Sequence, residues 1–463
     1  MKTKIFLLIA LFYLGKINAQ YSLLLNFNGA NGAAPTGDLT LAGKVLYGMT
    51  IYGGAHGDGC VFSIDINGNN YKDLLDFNDT NGANPYSSLI ISGKVLYGMT
   101  TLGGINGDGC IFSLDTDGTS YKKLLDFNWG NGALPLGLLT LSGNELFGSA
   151  TSGGMNGHGC VFKIGTSGNG YTDILDFNIG NGEQPVGGLT LLGNKLYGLA
   201  SSGGGMGWGC LFTIDTNGNT YKDLWDFDGF AALNGSEPNG SLTYSSGLFY
   251  AMTKYGGIYD SGCVFSIDTN GSNYKNLLSF SHRSGYYPDG SLVLSGNKLF
   301  GMALQGGLND SGSIFSLDAN GGGYTKIFNF DGGNGAKPSG SLILSGSILY
   351  GMTPGGGAND TGVIFKVDTN TVSSIKTITS ASGTINLFPN PNNSIFTIQL
   401  AENSGPYTVE IYNVLGENVY SKFSTFNSRL SIDLSSNPNG VYICKVLQED
   451  GSVVGEEKVM VQK

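Results

Sequence analysis

Basic residues, histidines and long apolar runs are all scarce in this chain, and each scarcity excludes a class of function. Lys and Arg number 24 against 35 Asp and Glu, a net charge of -11. Neither phosphate neutralisation nor counterion release has cations to work with, so nucleic acid and anionic membrane surfaces are excluded as partners. The three histidines, His56, His158 and His282, fall in separate loop segments without ligand spacing or a nucleophile motif around them, and surface positions are expected for them. No glycine-rich nucleotide motif opens a helix, no EF-hand spacing occurs, and no segment sustains a helical period. No cofactor and no metal site is expected; calcium is the one ion that the Asp-, Asn- and Gly-rich loops leave open.

The single apolar run, Ile5 to Leu14, follows Lys2 and Lys4 and precedes small Ala19. It is too short to cross a bilayer, so residues 1–19 read as a signal peptide and no transmembrane segment is expected.

What the chain has in excess is glycine, 77 residues, with no Gly-X-Y period and with 40% apolar residues. That combination excludes collagen and disorder. The excess belongs to a repeat. The phrase "LYGMT" stands at Leu46–Thr50, Leu96–Thr100 and Leu349–Thr353, with near-copies from Leu146, Leu196, Leu248 and Leu299, so that the steps are 50, 50, 50, 52, 51 and 50 residues. A fixed period of this size signals an array or propeller. Each period carries four short runs rich in β-branched and aromatic residues, such as Asp38–Ala42, Val45–Thr50, Cys60–Asp65 and Tyr71–Phe77, bounded by Gly, Asn, Asp or Pro.

The fourth run occurs once ahead of the array, at Tyr21–Phe27, and is missing from the last period. The two irregularities cancel if the N-terminal strand completes the last sheet, which also removes any unprotected end. The expected fold is all-β: a seven-bladed β-propeller over 20–370 closed by its N-terminal strand. Glycines such as Gly48 and Gly98 are then packing residues where neighbouring blades approach closely. After a linker at 371–384, the alternating strands of 385–463 predict a small C-terminal β-sandwich.

Two resemblances add to this. Leu46-Tyr47-Gly48, Gly53-Gly54 and Gly59-Cys60-Val61-Phe62, with their copies over residues 20–370, resemble the GloVer tandem repeat of bacterial surface and secreted proteins. The resemblance implies a propeller-like array and brings no assigned catalytic residue. The tail, with "NLFPNP" (Asn386–Pro391), "VEIYNVLG" (Val409–Gly416), "NGVYICKV" (Asn439–Val446) and "KVMVQK" (Lys458–Lys463), resembles the type A C-terminal sorting domain of the type IX secretion system of Bacteroidota. It implies Sec export through the periplasm, the type IX machinery as a partner, and a secreted or outer-membrane surface-attached product.

Cys60, Cys110, Cys160, Cys210 and Cys263 hold one place in five repeats where Ser313 and Val363 also serve, which marks a small packing position. Asp260, Asp310 and Asp360 recur as turn formers. No catalytic residue is assigned. The long loops, such as Ile51–Gly59 and Asn28–Gly37, emerge on one face and vary most: the place of Asp58 is taken by Asp108, His158, Trp208, Ser261, Ser311 and Thr361. With Trp129, Tyr255, Tyr259 and Tyr286 these residues form the candidate binding face, suited to stacking on sugars or anchoring a protein.

The expected function is that of an exported binding or adhesion protein for a glycan or protein ligand. A propeller glycoside hydrolase or polysaccharide lyase is the alternative. A convergent acidic pair at the central funnel favours the enzyme, and a ring of mixed polar and aromatic residues without one favours binding.

Overall fold

The computed structural model describes residues 21–229, 234–281, 284–307, 309–369, 385–400, 407–413, 418–424, 429–448 and 453–463. The segments expected as signal peptide (1–19) and linker (371–384), and His282, lie outside the described residues. The chain divides into two compact units, one within Asn18–Thr371 and one within Val372–Lys463, and among the described residues it is all-β, without an α-helix.

The first unit opens with strand β1 (Tyr21–Asn26). The first repeat then supplies β2 (Thr40–Ala42), β3 (Val45–Thr50), β4 (Cys60–Asp65) and β5 (Lys72–Asp76), paired in that order in one antiparallel sheet. β2 and β3 meet at Gly43-Lys44, where Gly43 takes a φ of 61°, the left-handed conformation that a two-residue hairpin needs. Seven such sheets follow the seven repeats; the sixth carries one extra short strand, Tyr286–Pro288. In the seventh, the outer place is taken by β1, which pairs with Val363–Asp368 from Tyr21↔Val367 to Asn26↔Val363.

β3 and β4 are buried along nearly their whole length because both faces are covered by neighbouring sheets, which is why their sequences are continuously apolar instead of alternating. The covering contact repeats. The phenylalanine that ends each outer strand meets, edge to face, the phenylalanine of the third strand in the next sheet: Phe77 on Phe112, Phe127 on Phe162, Phe177 on Phe212, Phe227 on Phe265, Phe280 on Phe315 and Phe330 on Phe365. Phe27, just after β1, makes the same contact with Phe62 of the first sheet at 5.4 Å and 63°. The hydrophobic cluster of Phe27, Leu39, Leu46, Phe62, Tyr350 and Ile364 therefore joins the seventh sheet to the first.

The glycines of the repeated phrase serve this contact in a way that differs from the expectation. Gly48 lies opposite Phe62 in the same sheet, and a Cβ on it would stand 2.6 Å from the ring's Cζ. What approaches is the aromatic ring of the adjacent strand, not a neighbouring sheet's backbone. Glycine leaves the room in which that ring lies flat enough to receive the next phenylalanine. Only the fifth repeat has a methyl there, Ala251 opposite Phe265.

The second unit holds one sheet of Ile385–Phe388, Ile395–Leu400 and Arg429–Asp433 and another of Asn418–Ser424, Tyr407–Asn413, Gly440–Gln448 and Val453–Val461. One buried cluster draws on both, including Phe396, Ile398, Val409, Ile411, Cys444 and Val459.

If β1 closes the array, Phe27 is energetically equivalent to an internal phenylalanine. Phe27→Ala and Phe127→Ala should each lower unfolding free energy by about 3 to 5 kcal/mol, read from denaturant midpoints. A loss under about 1 kcal/mol for Phe27→Ala alone would mean that the seventh and first sheets are not tightly joined.

Candidate functional site

The long loops are built by main-chain capping. In the first four repeats the carboxylate that ends the outer strand accepts a loop amide, as where Ala55 N–H donates to Asp76 at 2.8 Å and Ile105 N–H to Asp126 at 2.9 Å; Ile258 N–H uses Ser279 and Ala358 N–H uses Asn26 of β1 at 2.9 Å. Asp260, Asp310 and Asp360 accept from Gly256, Gly306 and Gly356, the turn-forming role expected for them.

The positions of Asp58, Asp108, His158 and Trp208 share one main-chain task. Their carbonyls accept the amides of Asn84, Leu134, Gln184 and Glu237 at 2.8 to 3.1 Å, and Thr361 closes the series by accepting from Ala34 at 2.9 Å. Each donor precedes a proline and has a φ between 49° and 57° although none is glycine, an unusual conformation for a residue with a Cβ. Because backbone links the repeats, the side chains at these places are free to differ. His158 uses that freedom to pair its Nδ1 with Glu183 at 2.8 Å.

The structure does not gather all the candidate residues. Asp58, Asp108, His158 and Trp208 are distributed over successive sheets. Trp129 and Tyr259 are 53% and 62% exposed on separate loops. Ile105, Met155, Ile179 and Met206 are exposed on loops of the same kind, which widens the apolar character of this face beyond what the aromatic count suggested. Tyr255 and Tyr286 do come together: each packs edge-on against Tyr287 with centroids 5.0 Å away, Lys254 lies over Tyr255, and Tyr286 donates to Asp310 at 2.5 Å.

Sequence reasoning missed the centre of the ring. The segment before each innermost strand reads Pro-x-Gly or Pro-x-Ser, then a small or polar residue in every repeat but the third, which has Leu138, then Leu, as in Pro35–Leu39 and Pro288–Leu292. The residues at x, among them Thr36, Tyr86, Leu136, Val186, Asn239 and Asp289, line a cavity of 280 Å³. Two residues further on, the chain is laced sideways: Asp38 N–H donates to Ser88 at 2.7 Å, Gly188 to Ser241 at 2.9 Å, Ser241 to Ser291 and Ser291 to Ser341 at 2.8 Å, and Ser341 to Asp38 at 2.5 Å. Leu138 and Gly188 carry no acceptor, so the lacing is broken there. The missed signal was the pair of variable places between a repeated Pro and a repeated Leu.

Asp38 and Asp289 both border the cavity. Each is half-buried by area because it touches the cavity, yet protein surrounds it. Burial raises the pKa of Asp38 against opposing hydrogen bonds from Ser341 and Ser88. Burial raises that of Asp289 too, opposed by the Gly290 amide and the charge of Lys254 and reinforced by the charge of Asp38.

Away from the centre, burial and then the neighbouring carboxylate raise Asp73 to about 6, Asp173 to about 7 and Asp223 to about 6, next to Asp76, Asp176 and Asp226. In the second repeat Lys123 replaces the first acid and pairs with Asp126 at 2.8 Å. The repeated cysteines are buried and free. Burial pushes their thiols up, Cys110 and Cys263 to about 11, so they are poor nucleophiles and poor metal ligands. Among the described residues no group of three or more His, Cys, Asp or Glu could hold a metal ion, and no helix is long and apolar enough to cross a membrane.

The Gloeobacter/Verrucomicrobia repeat matches residues 10–207 and 193–397. The chain belongs to this repeat family. Residues 386–462 match the secretion system C-terminal sorting domain, the type IX tail, which implies a secreted or surface protein that engages the secretion machinery. No curated protein matches the repeat-family chain.

Solved structures with similar outlines include the tricorn protease, at 11% identity and a TM-score of 0.40, with 93% of this chain and 40% of that one covered. The chain thus spans about two fifths of that protein's length. The oligogalacturonate lyase in complex with manganese gives 10% identity, 76% and 93% coverage and a TM-score of 0.44. The β-propeller domain of the Trilobed protease from Pyrococcus furiosus gives 11%, 73% and 96%, and 0.45.

The paired acids make a pH prediction. Their folded pKa values exceed the unfolded value near 4, so the folded state binds more protons and stability falls as pH rises from about 4 to about 7. A variant carrying Asp73→Asn, Asp173→Asn and Asp223→Asn should gain melting temperature relative to the parent as pH rises through that window. Parallel pH profiles for the two proteins would contradict the assignment.

Proposed function

We propose that residues 20–370 of this repeat protein form a seven-bladed β-propeller closed by its N-terminal strand, joined through 371–384 to a β-sandwich sorting domain at 385–463 and preceded by a signal peptide at 1–19. The propeller is an exported binding or adhesion module, and its long-loop face takes a glycan or another surface protein. The observation that carries this reading is the exposure of Trp129 and Tyr259 together with Ile105, Met155 and Ile179 on loops whose backbones are fixed by capping. Large apolar side chains held out on capped loops suit contact with a partner.

One observation favours a second reading. Asp38 and Asp289 border a single cavity with raised pKa values, the acidic pair on which a glycoside hydrolase or lyase would depend. Against it, both carboxyls already serve the architecture, accepting from Ser341 and Gly290.

Trp129→Ala and Tyr259→Ala together should weaken binding to a glycan array or to whole cells by roughly thirtyfold, with little change in melting temperature. The parent protein should release no reducing ends or unsaturated products from a polysaccharide panel. Turnover lost on Asp289→Asn would replace the binding reading with the enzymatic one. Undiminished binding by the double variant would remove the loop face as the site.

A further inference from the structure

The central cavity has two unlike walls. The third and fourth repeats contribute Leu136, Leu138 and Val186, the second contributes Tyr86 and Ser88, and the fifth, sixth, seventh and first contribute Asn239, Asp289, Ser339, Thr36 and Asp38. Since the sheets follow one another around the ring in sequence order, the hydrocarbon arc faces the acidic and hydroxyl arc. The lining contains no Lys, Arg or His. Lys254, whose charge is felt by Asp289, belongs to the loop side with Tyr255. Two carboxyls thus share a confined volume that has no counter-charge within its walls. Beside them the hydroxyl oxygens of Thr36 and Ser339 are buried without a hydrogen-bond partner among the described residues, and a change of side-chain rotamer would offer either to a guest.

We infer that this cavity binds a small organic cation, a primary ammonium on a compact apolar body, with the ammonium between Asp38 and Asp289 and the body against Leu136, Leu138 and Val186. An ammonium has three donors and no acceptor, which suits two carboxylates and a spare hydroxyl. An anion would meet no cation in the lining. A hard divalent ion asks for about six to eight oxygen ligands, and here half of the wall is hydrocarbon. Burial disfavours the charged form of both carboxyls, and an ammonium placed between them would favour it again. At 280 Å³ the space lies at the small end of ligand pockets, roughly 300 to 1,000 Å³, so the body must be compact. The cavity is lined by the inner ends of long loops such as Asn28–Gly37 and by none of Trp129, Tyr255, Tyr259 and Tyr286.

The test uses the full chain in titration calorimetry with phenethylamine, its uncharged counterpart 2-phenylethanol, and calcium chloride alone. Asp38→Asn and Asp289→Asn keep an acceptor oxygen for the Ser341 and Gly290 amides while removing charge, and a melting curve checks the fold. Leu136→Trp blocks the cavity from the opposite wall and serves as the second variant should the paired one fail to fold. Phenethylamine should bind saturably, the alcohol at least about tenfold more weakly, and either variant at least about tenfold more weakly than the parent, while Trp129→Ala leaves amine binding unchanged. Absence of saturable amine binding, equal binding of amine and alcohol, indifference to both variants, or calcium binding that displaces the amine would each overturn the proposal.

Discussion

The contact between phenylalanines of neighbouring sheets is what the rest of the structure depends on. It occurs seven times, with centroid separations from 5.1 to 5.4 Å, and it consumes the most distinctive letters of the repeat. A third-strand phenylalanine needs a hole opposite, which the phrase supplies as glycine. The last phenylalanine of the outer strand needs that ring as its partner. Stack the seven repeats and two faces remain, one lacking an outer strand and one lacking a neighbour. Phe27 and β1 satisfy both at once. Aromatic pairs of this geometry contribute on the order of 0.5 to 1.5 kcal/mol beyond their buried area, so seven of them, fully enclosed, are a large share of a marginal stability.

Because packing is settled by a few residues per repeat, and linkage by backbone amides and carbonyls, most loop side chains are released from structural duty. The left-handed residue before each of these prolines, the carbonyl it addresses and the Asp, Ser or Asn side chain that caps most of the loops fix the backbone of this surface. A rigid frame carrying variable side chains is the physical requirement for a recognition surface. The same division explains the centre, where a lacing of serine hydroxyls and Asp38, interrupted at Leu138 and Gly188, leaves the neighbouring place open to Tyr, Leu, Val, Asn or Asp.

The strands and their order were legible because the repeat presents each element seven times, so accidents of one copy are averaged away, and the family match follows from the same letters. The role of Gly48 was half legible: a close approach was evident, but the sequence does not say that Phe62, fourteen residues on and directly across the hairpin, is what approaches. The cavity acids were not legible. Asp38 and Asp289 stand in different places of their repeats and are far apart along the chain, and only closure of the ring makes them neighbours of one space. The loop aromatics were legible as residues and not as a site, since exposure is decided by how each loop is capped.

Closure of the array by β1 is the central claim, and native-state hydrogen exchange tests it most directly. Amides of Tyr21–Asn26 and their partners in Val363–Asp368 should exchange as slowly as those of Lys122–Asp126 and Cys110–Asp115, the equivalent pair inside the array, because both would open only with the whole unit. Rapid exchange of Tyr21–Asn26 with full protection elsewhere would contradict it, and would describe an open array with a frayed first strand.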